Sequence, residues 1–275
     1  MKLNQESVIV ACSFRLSPEE MLNSLEGLLG DLRCVRGYIV SSTIPREQLL
    51  ENGWRLVPTD NLDFDFSAYL TGAERVNLHH PEARVIIFVN DTLFTNHAPR
   101  ANFTALLRHA ALIKELEIPA ICGKADLYAT ICLKNPWSEL DRYITSYCFM
   151  LNRKSLEIML ELRALAEQDG VTHTVSVDSS TWGRGLPKAF HQFVKANLVY
   201  DSSSYLWYRL REAKFTTEQI SSKARAIYFE HKLSGSVAKA GCMVPTNAGH
   251  RWWLYLFVWE WIFRLSRRVG INSHR

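Results

Sequence analysis

The chain has 275 residues, 47% of them apolar and 22% charged, with 32 basic against 28 acidic side chains and a formal net charge of +4. The length suits one large α/β domain or two small ones. The apolar share excludes a disordered chain, and the charge is too mild to argue for nucleic acid. Six cysteines, at 12, 34, 122, 132, 148 and 242, form no CxxC pair and have no histidines at zinc-ligand spacing. They read as small buried side chains of a reducing compartment. No basic segment followed by an apolar one opens the chain, so no secretory leader is expected. The longest apolar run, 252–263, has 12 residues including Glu260, short of the roughly 20 that a spanning helix needs.

In chain order, residues 8–12 read as a strand and 18–32 as a helix, with Ser17 as N-cap and Pro18 at its first position. A second strand is expected over 37–41 and a helix over 66–76. Residues 84–89 hold Val85-Ile86-Ile87-Phe88-Val89, a continuous apolar run that suits a central strand covered on both faces. A helix over 103–116 and a strand over 118–122 follow. Beyond them come a strand over 143–151, a helix over 153–167 and an alternating strand over 171–177. Helices over 186–198 and 205–212, a short strand over 226–229 and a helix over 230–240 complete the domain. This order predicts an α/β fold with a mostly parallel sheet flanked by helices.

Ligands of such sheets bind beyond the carboxyl ends of the strands, which directs attention to Asn90-Asp91-Thr92. A carboxylate there suits a metal or ribose ligand, and equally a turn or helix N-cap. A second cluster, Asp60-Asn61-Leu62-Asp63-Phe64-Asp65-Phe66, places three carboxylates in six positions. It reads either as a ligand-facing loop or as a capped helix start in which Asp65 complements the dipole. The third candidate is Glu230, at the expected junction of strand and helix, as a general base or simply a first-turn acid. A loop carrying Asp178, Trp182 and Arg184 offers an aromatic ring and a guanidinium for a sugar face or a phosphate, with ordinary turn chemistry as the other reading. Lys124 and Asp126, past the strand expected over 118–122, are further candidates.

Several phrases carry a family resemblance. Asn61, Asp65-Phe66, Tyr69 and Gly72, followed by Phe88-Val89-Asn90-Asp91-Thr92, then residues 144–153, then Glu230 with Leu233-Ser234 and Gly241, stand in one order. In that order the chain resembles the rhamnan synthesis protein F-like glycosyltransferases of bacterial polysaccharide biosynthesis, which build capsule and lipopolysaccharide O-chains. The resemblance covers about residues 55 to 245. It implies a GT-A-like, Rossmann-like fold and transfer of a sugar, with rhamnose a candidate, from a nucleotide sugar to a lipid-linked or polysaccharide acceptor. By the same resemblance Asn61, Asp65, Tyr69, Asn90 and Asp91 bind the donor, Asp91 holds a divalent metal (Mn or Mg), and Glu230 deprotonates the acceptor hydroxyl. Only one carboxylate marks the metal position, so metal dependence stays open.

Residues 1–245 are thus expected to form the transferase domain and 246–275 an appendage. The appendage holds Arg251-Trp252-Trp253-Leu254-Tyr255 and, further on, Arg264, Arg267 and Arg268. Aromatic and basic residues favour the membrane–water boundary, so it reads as an interfacial helix on the inner face of the cell membrane of a cytoplasmic, peripheral protein. Its other reading is a packing helix or a dimer contact. The alternative functions are a non-catalytic sugar-nucleotide-binding or scaffold subunit of a polysaccharide assembly complex, and a membrane-associated interaction protein. Oligomerisation stays open.

Overall fold

The computed structural model describes residues 6–30, 36–128, 134–200, 206, 207, 210, 214–247 and 258. The first half runs β1 (Ser7–Cys12), α1 (Pro18–Leu29), β2 (Arg36–Ser41), β3 (Gln48–Leu49), β4 (Arg55–Pro58), α2 (Asp65–His79) and β5 (Val85–Asn90). It continues through α3 (Thr92–Asn96), α4 (Pro99–Leu107), α5 (Ala110–Glu115), β6 (Ala120–Leu127) and β7 (Arg142–Asn152). The last elements are α6 (Arg153–Leu160), α7 (Leu162–Gln168), α8 (Lys188–Leu198), α9 (Thr217–Ala240) and β8 (Cys242–Pro245).

The strands form one mixed, mostly parallel sheet in the order β3-β4-β2-β1-β5-β7-β6-β8. Only β3 and β7 run against the others. Both neighbours of β1 are parallel to it, β2 on one side and β5 on the other. Because side chains alternate across a strand, β1 feeds two cores. Val8, Val10 and Cys12 pack with Phe66, Tyr69, Ala73 and Val76 of α2 and with Phe229 of α9. Ile9 and Ala11 pack on the other face with Met21 and Leu25 of α1 and with Phe103, Leu106 and Ile113. This two-sided burial explains why β1 and β5 lack a polar face. Gly72 of α2 lies against β1, where an added Cβ would run into the Val10 side chain. This glycine of the family-like phrase therefore serves helix–strand approach.

Helix α1 starts on a capping box. Ser17 accepts from Glu20 N, and the Glu20 side chain accepts from Ser17 N. Several expected elements differ from what forms. Residues 226–229 are not a strand, since α9 runs unbroken from its Thr216–Gln219 capping box through Ala240. No proline interrupts it, and its buried positions lie on more than one face, which hides the helical period. The alternating stretch 171–177 is irregular, not a strand. Its carbonyls are taken by side chains instead of a ladder: Val171 O by Arg225, Thr172 O by Trp182, and Val175 O by Ser221. The helix expected over 103–116 is split into α4 and α5, and that over 153–167 into α6 and α7. Most of the helix expected over 205–212, and all of the 246–275 appendage except Asn247, Thr246 and Val258, lie outside the described residues. No helix among the described residues is long and apolar enough to cross a membrane.

Candidate functional site

In an open parallel sheet the ligand crevice opens where connections leave to opposite sides, outside the carboxyl ends of the strands. Here that place lies between β1 and β5. A cavity of about 360 Å³ opens there, lined by the turn after β1, the start of α2, the end of β5, the middle of β7 and one face of α9. Asp65, Asn90, Asp91 and Glu230 all line it, although they come from four separate segments.

Asp91 is the N-cap residue of α3, but its side chain makes no capping bond. Its Oδ2 accepts the backbone N–H groups of Phe14 at 2.7 Å and Leu16 at 3.0 Å, and that of Arg15 between them. The carboxylate thus moulds the turn after β1, with three donors converging on one oxygen, and Oδ1 takes none of these bonds. Asn90, the last residue of β5, donates its side-chain amide to Asp65 Oδ2 at 2.5 Å and accepts from Thr92 N at 3.1 Å. Asp65 is the first residue of α2. Burial pushes its carboxyl up from the ordinary value, and nearby Asp91 adds to the rise.

The three acids of the 60–65 cluster have separate tasks. Asp60 Oδ1 accepts from Ser67 Oγ at 2.6 Å and from Leu62 N at 3.1 Å, closing the loop on α2. Asp63 is buried and paired with Arg225 of α9 at 2.6 Å. The same guanidinium reaches Glu167 at 2.8 Å and Val171 O at 2.6 Å. Only Asp65 faces the cavity. Between the clamped Asp63 and Asp65, Phe64 adopts a φ of 51°, a left-handed conformation that costs a side-chain-bearing residue about 1–3 kcal/mol. Its ring lies 5.8 Å from Phe14 and 6.2 Å from Trp207, and the three form an aromatic wall.

The opposite wall is a distortion of β7. Gly123 pairs with Phe149 and Ala125 with Ile144, so residues 145–148 of β7 face only Lys124 across the ladder. Bulges of this kind re-aim side chains and free backbone groups beside sites. Here Ser146 N donates to Glu230 Oε1 at 2.6 Å, while Ser146 O accepts from the Tyr69 hydroxyl at 2.7 Å. Tyr147 turns into the cavity, stacked on His97 with ring centres 3.9 Å apart. Glu230 sits in the middle of α9, not at a strand–helix junction, so its position owes nothing to a helix terminus. Burial raises its carboxyl above the ordinary glutamate value, and Asp65 raises it further. The next residue, His231, is held neutral by burial, its affinity for a proton lowered to about 3, and its Nδ1 lies 2.7 Å from the Tyr128 hydroxyl.

Other expected site residues lie elsewhere. Tyr69 is fully buried among Phe66, Phe88 and Phe149, so it supports the bulge from beneath and does not line the cavity. Asn61 is exposed and outside the lining. Trp182 is a core side chain whose indole donates to Thr172 O, so its ring is not offered to a sugar face. Asp178 and Arg184 are exposed, with Asp178 3.6 Å from Lys195, and neither lines the cavity. Lys124 and Asp126 do line it, from within β6 and not beyond its end. Sequence reasoning missed Phe14, Arg15, Phe64, Tyr147, Trp207 and Lys223. For Phe14 and Arg15 the signal was available: they lie in the turn one residue past the apolar strand β1.

Asp91 lines the cavity, and its Oδ1 takes none of the three amide bonds. Among the described residues no three His, Cys, Asp or Glu side chains are grouped to hold a divalent cation. A magnesium-like ion would therefore take a single protein carboxylate here, with phosphate oxygens and water filling its shell.

Comparison with known proteins finds no matching family model and no matching curated relative.

Proposed function

We propose that the chain is a nucleotide-sugar-dependent glycosyltransferase of GT-A-like architecture. The observation that carries this reading is the convergence of Asp65, Asp91 and Glu230 with Lys124 and Lys223 on one cavity at the switch point of the sheet. The aromatic wall of Phe14, Phe64 and Trp207 suits a nucleobase, whose π-face stacks on rings. The cations suit a diphosphate, and Glu230 suits the reacting end.

In the reaction, the bond from the anomeric carbon to the diphosphate oxygen breaks and the nucleoside diphosphate leaves with the electron pair. An acceptor hydroxyl forms the new bond to that carbon and gives its proton to Glu230. A base of raised proton affinity is suited to this transfer. Asp91 acts on the turn after β1, fixing the amides of residues 14–16. If a divalent cation binds, Asp91 Oδ1 is the oxygen that meets it, and it would supply positive charge to the leaving diphosphate. The acceptor is a lipid-linked or polysaccharide hydroxyl. The aromatic and basic segment 246–275 brings the cytoplasmic enzyme to the inner membrane surface.

A thermal-shift panel of nucleoside diphosphates and nucleotide sugars checks the reading. A ligand specific to the native state at a hundred times its dissociation constant adds about 2.7 kcal/mol of stability. At least one nucleoside diphosphate is expected to raise the melting temperature by several degrees. A flat panel at millimolar ligand, with and without Mn²⁺, defeats the assignment.

A further inference from the structure

We infer that the counter-charge for the diphosphate in this cavity is the ammonium of Lys223, acting without a divalent cation; this rests on the transferase reading. Lys223 stands on α9 and lines the cavity. Its Nζ lies 5.2 Å from the centre of the Trp207 ring and 5.7 Å from that of Phe64. Among the described residues it forms no ion pair with a carboxylate. Its charge reaches Asp65 and Glu230, whose carboxyls it lowers against the larger rise from burial, but ring faces hold an ammonium without neutralising it, so an incoming anion has no ion-paired carboxylate to displace.

The acids around it are already engaged with neutral donors. Asp91 Oδ2 holds the amides of residues 14–16, Asp65 Oδ2 holds the Asn90 amide, and Glu230 Oε1 holds Ser146 N. Among the described residues no three metal-ligating side chains are grouped, so a cation would rest on one carboxylate and the ligand's own oxygens, whereas the Lys223 ammonium is held in place by the protein itself. Arg15 and Lys124 line the same cavity from the turn after β1 and from the β6 bulge, so positive charge reaches it from three elements.

Lys223 also stands on the same helix as Glu230. It precedes Glu230 by seven residues on one unbroken helix, about two turns, so both side chains project from one face. A diphosphate held at Lys223 against the aromatic wall places the sugar further along α9, toward Glu230. One helix thus carries both the group that holds the leaving diphosphate and the base for the acceptor.

The test titrates the full-length protein with UDP, dTDP, GDP, CDP and ADP, in EDTA and in Mn²⁺, by calorimetry. The diphosphate that binds is expected to do so in EDTA, and Lys223→Met to weaken it about tenfold or more, as loss of a charge-assisted contact does. Lys223→Arg is expected to retain most of the affinity. Lys223→Gln is measured beside them, so the conclusion does not hang on the folding of one variant. Equal affinity of wild type and the neutral variants, or binding that appears only with Mn²⁺, overturns this inference and leaves the transferase reading intact. No diphosphate binding under either condition overturns both.

Discussion

Glu230→Gln is expected to leave a folded protein that binds the nucleotide donor and has lost sugar transfer by about 10²- to 10⁴-fold, the range of a positioned general base. Glutamine keeps an acceptor oxygen for Ser146 N, so the contact with the β7 bulge survives. What goes is the ability to receive the acceptor proton. The loss should fall on kcat, with donor affinity changed little. Binding without turnover in the wild type itself, equal to that of the variant, would instead favour the scaffold alternative.

The same substitution has a stability signature whose sign follows from linkage. The Glu230 carboxyl is raised in the folded protein, chiefly by burial. Its contribution is therefore fully present below the unfolded value of about 4.3 and is lost as pH rises through the folded value. Glutamine does not titrate. The variant should gain stability relative to wild type as pH rises through that window, measured by urea midpoints at pH 4 and pH 8. A constant difference across pH would show that Glu230 is not held in a desolvated site. In wild-type kinetics, the acid limb of kcat/KM should lie above the ordinary glutamate range, because the base must be ionised to act.

Asp91→Ala is expected to be the most destabilising change in the cavity, by about 3–5 kcal/mol. Three backbone donors lose their acceptor at once, and each unsatisfied donor costs about 1–3 kcal/mol, reduced where water enters from the cavity. The turn carrying Phe14 and Arg15 should loosen, and donor binding should fall with it. Asp91→Asn keeps one acceptor oxygen without the charge, so it should fall between wild type and alanine in the urea midpoint. If alanine and wild type share a midpoint, the carboxylate does not hold the turn.

Much of the central sheet was legible because β1 and β5 are continuous apolar runs, the pattern of strands covered on two faces. The short strands at the two ends of the sheet were not. Gln48–Leu49, Arg55–Pro58 and Cys242–Pro245 are two to four residues long, too short for a period, and they are strands only because a neighbour pairs with them. Asp91 could be read from its place after β5, yet its partners are backbone amides of residues 14–16, which no side-chain pattern reveals. Glu230 was legible through the family-like phrase, but Ala226-Ile227-Tyr228-Phe229 reads locally as a strand. Cutting α9 there separated Glu230 from Lys223, so the two-turn relation between acid and ammonium could not be seen. Trp182 is the converse case. Flanked by small and turn-forming residues it reads as a loop ring, while the fold buries it completely.

The most direct measurement is a crystal structure with the nucleoside diphosphate that best stabilises the protein. Electron density is expected for the base against Phe14, Phe64 and Trp207 and for the diphosphate beside Lys223, with Glu230 facing the space where the sugar would lie. A ligand bound on another surface, with the cavity between β1 and β5 filled only by water, would contradict it.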